Sequence, residues 1–337
     1  MPTNPVVTDI KQVTIRFSGD SGDGMQLSGT LFSTLSAIFG NEIATFPDFP
    51  AEIRAPQGSL QGVSGFQVRI GAKDVYNSGD KTDVLVAMNP AALKVNAQYL
   101  KKGSIVLFDT DSFQKRDLDK ALFQTLDPFA ELNLDWVQPI GVNITSLTKD
   151  SLADSELENK EILRSKNMFA LGIVCWLFNR PLEIADHLLE QKFSKKPKLV
   201  QANIKALTDG YNYGNNTELS ASTYRIDPIE SSKGFYADIN GNTATAYGLI
   251  AAAEKAGVQL FLGSYPITPA TDILHELSKR KDFGVKALQM EDEIAGITSS
   301  IGASFAGCLA ATSTSGPELS LKSEALGLAV MTELPLV

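Results

Sequence analysis

The chain has 337 residues, 43% of them hydrophobic and 20% charged, with a formal net charge of −9. A length above the ~250–300 residues at which single cores stop growing predicts about two domains, and the negative charge argues against a nucleic-acid partner and against anionic membranes. No apolar run approaches the ~20 residues of a bilayer span, and the opening MPTNPVVTDIKQ lacks the basic start and apolar core of a signal peptide, so the expected location is the cytoplasm.

In chain order, Lys11–Ser18 (KQVTIRFS) reads as a strand rich in branched residues. It runs into the glycine-rich stretch 19–24 (GDSGDG) and then an amphipathic helix, Met25–Phe39. Strand, turn and helix form the start of a doubly wound unit, with the first helical amides open to an anion. Asp20 and Asp23 would repel a phosphate, however, and the spacing GxxGxG is not the dinucleotide fingerprint GxGxxG. A tight turn that needs glycine is the simpler account. Residues 46–54 (FPDFPAEIR) predict a rigid, proline-rich surface loop. Strands are expected at 62–71, 83–87, 104–108 and 136–140, with a helix from Pro90 to about Lys101 and helices dominating Ser165–Thr208. That alternation predicts a mainly parallel sheet flanked by helices.

Residues 209–234 are polar, with several glycines, asparagines and serines and no sustained apolar period, and read as a linker. A second α/β domain then begins near Phe235. Asn240 is placed to cap a helix over 243–255, followed by strand 258–262, helix 272–279, strand 285–289, helix 292–305, strand 308–312 and helix 319–332. The first of these strands meets Gly263–Ile273 (GSYPITPATDI), where Pro266 and Pro269 flank Ile267 and Thr268. Two prolines three apart fix two φ angles and push their predecessors out of the α region. Thr268 is thereby held on a stiff turn at the carboxyl end of a strand, where open α/β sheets bind ligands, with Pro269 opening the next helix.

Cys175 and Cys308 are the only thiols, each within an apolar segment, and read as core residues. A [4Fe–4S] cluster needs four thiolates, so these residues do not build one. His187 and His275 lack metal-ligand spacing. The acids Glu291, Asp292 and Glu293 are adjacent, and residue chemistry alone does not choose among them. All three also suit a helix N-terminus.

Three motifs stand in order across the second half: YPITP (265–269), QMEDEIA (289–295) and TSGPELSLKSEALGLAV (314–330). Together they resemble 2-oxoacid:ferredoxin oxidoreductases, thiamine-diphosphate and iron–sulfur enzymes. In the first half GDSGDG, PAEIR (50–54), LVAMNP (85–90) and KNMFALG (166–172) resemble the gamma-type domain of the same family. Where many members carry GxGGQG this chain has GDSGDG. The resemblance implies a gamma-type domain over 1–208, a linker over 209–234 and an alpha-type, thiamine pyrimidine-binding domain over 235–337, the layout of the 2-oxoglutarate type. The last residues, LPLV, read as the start of a core strand, and the family continues further, so the second domain is expected to be incomplete.

The resemblance also implies roles. Glu293 is the carboxyl that activates thiamine diphosphate; Gly316 and Pro317 form a turn beside the cofactor. Thr268, Tyr265 and Ile267 contact the 2-oxo acid, and Lys322 pairs with a distal substrate carboxylate unless it is simply solvated. Glu318 stands where the family often has glycine. The implied reaction is coenzyme A-dependent oxidative decarboxylation of a 2-oxo acid, with the family layout pointing to 2-oxoglutarate and its product succinyl-CoA. Mg²⁺ and [4Fe–4S] centres are expected on a beta-type partner that passes electrons to ferredoxin. The gamma-type domain is expected to serve as scaffold first and coenzyme A contact second. A non-redox thiamine enzyme and a non-catalytic assembly subunit are the alternatives.

Overall fold

The computed structural model describes residues 6–20, 22–49, 62–229 and 234–337. They form two compact units, Met1–Gly234 and Phe235–Val337. Both are α/β, with mainly parallel sheets flanked by helices.

The first unit contains β1 (Val6–Asp9), β2 (Gln12–Asp20), α1 (Met25–Phe39), β3 (Glu42–Asp48), β4 (Val63–Gly71), β5 (Thr82–Ala87), α2 (Pro90–Asn96), β6 (Leu100–Asp109), β7 (Gln138–Val142), α3 (Lys166–Leu177), α4 (Leu182–Lys192), α5 (Pro197–Asn216) and β8 (Ser222–Arg225), with short helical turns between them. The main sheet has the order β3-β4-β2-β5-β6-β7. β2, β5, β6 and β7 run parallel, while β4 is antiparallel to both β2 and β3. β2 is buried along almost its whole length because both of its faces are covered. Val13, Ile15 and Phe17 meet Leu31, Phe32 and Leu35 of α1 in the main core. The alternate positions are polar, and Arg16, only 4% exposed, is held by Asn96, Gln67 and the Asp48 carboxylate. Pairing those donors is what permits a buried guanidinium.

Several expected boundaries move. Phe46–Asp48 belongs to strand β3 rather than to a loop, held by its ladder with Phe66 and Gly65 of β4; residues 50–54 lie outside the described residues. The helix after Pro90 stops at Asn96, and the chain is already in β6 at Leu100. The strand expected at 136–140 lies two residues later, where Gln138–Val142 pairs with Ile105–Asp109. The expected linker is substantially structured: α5 runs through it to Asn216, and β8 pairs in parallel with β1. The reason lies in the glycines. A Cβ on Gly210 would stand 2.1 Å from Phe169 O, and one on Gly172 would stand 2.0 Å from Leu207 O. These glycines are contact points that let α3 and α5 touch backbone to backbone, not signs of a loop.

The second unit contains α6 (Gly241–Ala256), β9 (Leu260–Ser264), α7 (Thr271–Ser278), β10 (Lys286–Gln289), α8 (Glu293–Phe305), β11 (Leu309–Ala311) and α9 (Ser323–Met331). Its strands are all parallel, in the order β10-β9-β11. As expected, Asn240 caps α6 by accepting from Thr243 N at 2.9 Å, and Gly257 closes it in the left-handed region at φ 68°. Leu249, Leu260, Leu262, Leu274 and Leu277 fill one core layer, while Ile297, Ile301, Ala325 and Ala329 pack α8 against α9. Beyond α9, Val337 bonds to Ala310 O and Thr312 N at 3.0 and 2.9 Å, in the pattern of a strand laid parallel to β11.

Gly172→Ala should destabilise the first unit by about 1–3 kcal/mol through overpacking. Gly248→Ala, in open space within α6, should stabilise by up to ~1 kcal/mol through helix propensity. Denaturant midpoints at unchanged slope measure both.

Candidate functional site

The carboxyl ends of β9 and β11 are tied together side chain to backbone. Ser264 is fully buried, with its hydroxyl 2.6 Å from Ser313 Oγ. Thr312 Oγ1 donates to Gly263 O at 2.8 Å, and Ser300 Oγ of α8 donates to Ala311 O at 2.8 Å. Glycine at 263 is required, since a Cβ there would lie 2.4 Å from Ser299 Oγ and 2.5 Å from Gly296 O. α8 therefore lies directly on β9, and its first residue, Glu293, arrives beside the strand ends.

Tyr265, just past β9, is 4% exposed, and its hydroxyl is 2.7 Å from Thr314 Oγ1. Burial pushes the phenol's pKa up; the Thr314 hydrogen bond works against that, and the negative charges of Glu293 and Glu318 add to it. Glu293 itself is half-buried. Lys322 is 1% exposed and donates to Thr312 Oγ1 at 2.8 Å and Ser313 O at 3.0 Å, with its nitrogen 5.3 Å from the centre of the Tyr265 ring. Burial lowers the ammonium's pKa, and the charge of Glu293 opposes the shift. A phenol, two carboxylates and an ammonium thus share one corner of the second unit.

The first unit has a separate cleft of about 190 Å³, lined by residues that include Asp20, Asp23, Asn89, Asp117, Lys120 and Lys166. It lies past the carboxyl ends of the parallel strands β2, β5 and β6, the usual position for a ligand in such sheets. Its acids are largely paired within the protein. Asp23 binds Lys166 at 2.9 Å and accepts from Asp20 N at 2.9 Å, and Asn89 donates to Asp20 Oδ1 at 2.8 Å. Burial, then the Asp23 charge, raise the pKa of Asp20. Asp23 thus takes the amide at the end of β2 for itself. Neither Lys166 nor Asn89 stood out from its residue type, although both sit in the KNMFALG and LVAMNP segments.

The family profile described as pyruvate ferredoxin/flavodoxin oxidoreductase matches residues 14–213. The chain belongs to this family. The profile for the pyruvate flavodoxin/ferredoxin oxidoreductase thiamine diphosphate-binding domain matches residues 251–337. Among relatives, a 2-oxoglutarate oxidoreductase subunit KorA of Mycobacterium tuberculosis is 51% identical over 97% of this chain and 50% of its own length. Subunit alpha of 2-oxoacid:ferredoxin oxidoreductase 1 of Aeropyrum pernix is 26% identical over 97% of this chain and 54% of its own. The solved 2-oxoglutarate:ferredoxin oxidoreductase of Magnetococcus marinus, with 2-oxoglutarate, coenzyme A and succinyl-CoA bound, superposes with a TM-score of 0.69 at 30% identity, covering 97% of this chain and 51% of that one. The chain spans about half the length of these relatives.

In this pyruvate ferredoxin/flavodoxin oxidoreductase family member, the expected site residues separate into two groups. Tyr265, Glu293 and Lys322 are brought together. Thr268 is exposed and Ile267 half-buried on the turn, where Ile267 N donates to Thr271 Oγ1 at 2.7 Å. Pro269 does not open the next helix. The Thr268–Pro269 peptide is cis, Ala270 is the cap, and α7 starts at Thr271. Gly316 and Pro317 are exposed and start a 3₁₀ turn, Gly316–Lys322, that precedes α9. That turn is why Lys322 points inward rather than into solvent. Of the three acids, Asp292 is the cap of α8, accepting from Ala295 N at 2.8 Å, and Glu291 is exposed. His187 and His275 lie on exposed helix surfaces beside Glu190 and Asp272.

Asp292→Ala should cost about 1 kcal/mol of stability through loss of this cap, read from the denaturation midpoint. It should leave the Tyr265–Thr314 and Lys322–Thr312 contacts in place.

Proposed function

We propose that this chain supplies the thiamine-activating part of a 2-oxoacid:ferredoxin oxidoreductase that converts 2-oxoglutarate and coenzyme A to succinyl-CoA. The observation that carries the proposal is the half-buried Glu293 at the head of α8, set against the buried Tyr265 at the carboxyl ends of parallel strands. The names of the M. tuberculosis and M. marinus relatives support the choice of 2-oxo acid. The proposed domain layout is a gamma-type domain over 1–208 and an alpha-type domain over 235–337, the first acting as scaffold and coenzyme A contact.

The residues fit thiamine diphosphate. A carboxyl at a helix start, beside the buried phenol of Tyr265 and within the field of a buried ammonium, suits a proton-sharing contact with an aminopyrimidine. When bound, the cofactor supplies a carbon nucleophile and a sink for the electron pair left by decarboxylation. Glu293 would hold a proton at the pyrimidine N1′. Gly316, with φ 45°, and Pro317 would shape the adjacent turn. Tyr265, Ile267 and Thr268 would line the approach of the 2-oxo acid, Thr268 offering an exposed hydroxyl.

Electron transfer needs a partner. Among the described residues no group of three or more His, Cys, Asp or Glu could hold a metal ion, and two cysteines do not bind a four-thiolate cluster. On the family resemblance, Mg²⁺ and [4Fe–4S] centres are assigned to a beta-type subunit that delivers electrons to ferredoxin. Among the described residues no helix is long and apolar enough to cross a membrane.

The test is anaerobic reduction of a viologen dye by the chain co-expressed with its beta-type partner, supplied with thiamine diphosphate, Mg²⁺, coenzyme A and either 2-oxoglutarate or pyruvate. Reduction should require coenzyme A and favour 2-oxoglutarate. Glu293→Gln should lower kcat by about 100-fold or more while the complex still assembles. Dye reduction that survives this change would remove Glu293 from the chemistry. A cluster-bearing complex that decarboxylates without reducing dye would instead fit a non-redox thiamine enzyme.

A further inference from the structure

Lysine is among the side chains least often buried, yet Lys322 is one of the largest fully buried side chains of this protein. Both hydrogen bonds that its ammonium donates go to the end of its own sheet, Thr312 Oγ1 and Ser313 O. Neither partner is charged. Thr312 passes the contact to Gly263 O at the end of β9, and the ammonium sits over the ring of Tyr265, whose hydroxyl meets Thr314. One cation therefore touches the three residues 312–314 directly or through Tyr265, and it links β11 to β9. A buried charge with only neutral partners is costly. Glu293, half-buried at the head of α8, forms no ion pair with Lys322 but acts on it through space as an opposite charge. A substrate carboxylate would have to compete with two hydrogen bonds already made.

We propose that Lys322 is a positioning residue for the activating carboxylate: its buried ammonium locks Tyr265 and the 312–314 strand end in place and supplies the positive charge that faces Glu293. It then acts on the cofactor through those groups and not on the distal carboxylate of the substrate. This rests on the thiamine-dependent function proposed above.

The experiment uses the full chain assembled with its beta-type partner. Thiamine diphosphate affinity is measured by calorimetry, and kcat and KM for 2-oxoglutarate by dye reduction. The set is wild type, Lys322→Met, Lys322→Gln, Lys322→Arg, Glu293→Gln and the double variant Lys322→Met/Glu293→Gln. Lys322→Met should weaken thiamine diphosphate binding by about tenfold and lower kcat by a similar factor, the size expected for coupled neighbours. KM for 2-oxoglutarate should stay within about twofold, and Lys322→Arg should recover part of the loss, since it keeps the charge but brings a larger head into a fully buried site. In the Glu293→Gln background the same change should weaken binding by clearly less than in the wild type, since the coupled charge is gone and only the hold on Tyr265 and 312–314 remains to be lost. Lys322→Gln keeps an N–H donor without the charge, so it carries the comparison if Lys322→Met fails to assemble.

Effects that multiply in the double variant would overturn the proposal. So would a raised KM at unchanged cofactor affinity, which is the signature of a substrate anchor. Both outcomes leave the thiamine function standing. A wild-type complex that binds no thiamine diphosphate removes that function, and this inference with it.

Discussion

The contact on which the second unit depends is the approach of α8 to β9 at Gly263. There is no room for a Cβ between the strand and the backbone of Gly296, so helix and strand meet at a distance that only glycine permits. That distance decides where Glu293 lies. A side chain at 263 would lift the head of α8 away and separate the carboxylate from Tyr265. The serines and threonine around the contact, Ser300, Thr312 and Ser264, serve the same end. Each hydroxyl satisfies a carbonyl or hydroxyl that the close packing removes from water.

The first unit applies the same device for a different purpose. Glycines at 172 and 210 bring α3 and α5 into backbone contact, which gives the helical layer beside the sheet a fixed spacing. On the sheet, β2 presents apolar side chains to that layer and polar ones to the other face, where Arg16 is held by Asn96, Gln67 and Asp48. A buried guanidinium with each bond satisfied constrains the relative positions of β2, β4 and α2 more tightly than apolar packing would, because each bond has a direction. The cleft at the end of β2 inherits this rigidity. Two of its acids, Asp23 and Asp20, are turned inward to Lys166 and Asn89.

The parts of the fold legible in the sequence were those with a local cause. α1 begins after glycine and ends at Gly40, and its limits follow from those residues. The cap at Asn240 and the strand β5 likewise follow from nearby chemistry, whereas β9 lies two residues later than expected, at Leu260–Ser264 instead of 258–262. What the sequence concealed was set by distant neighbours. Gly210 and Gly214 look like linker residues until Phe169 and Trp176 are seen against them. β1, exposed along its whole length, and β8 are four-residue strands too short to show a period, and they exist because they pair with each other. In the site, the EDE triplet left three acids equivalent. The fold separated them by making Asp292 the cap and turning Glu293 inward. Lys322 was the residue least legible from type alone, since nothing local to a lysine before a helix announces burial.

The charges around Tyr265 show why that burial matters. Glu318 brings a second carboxylate to the same phenol, and its Oε2 is buried without a hydrogen-bond partner. An unpartnered buried acceptor costs about 1–3 kcal/mol, and two carboxylates near one phenol repel each other. Without Lys322 the corner would hold negative charge only, and the least costly response would be to move Glu293 or Glu318 outward to water. The ammonium is held by Thr312 and Ser313 and shielded from solvent. It therefore makes the inward position of Glu293 electrostatically tolerable. The packing at Gly263 sets where the carboxylate can be, and the buried lysine offsets the cost of leaving it there.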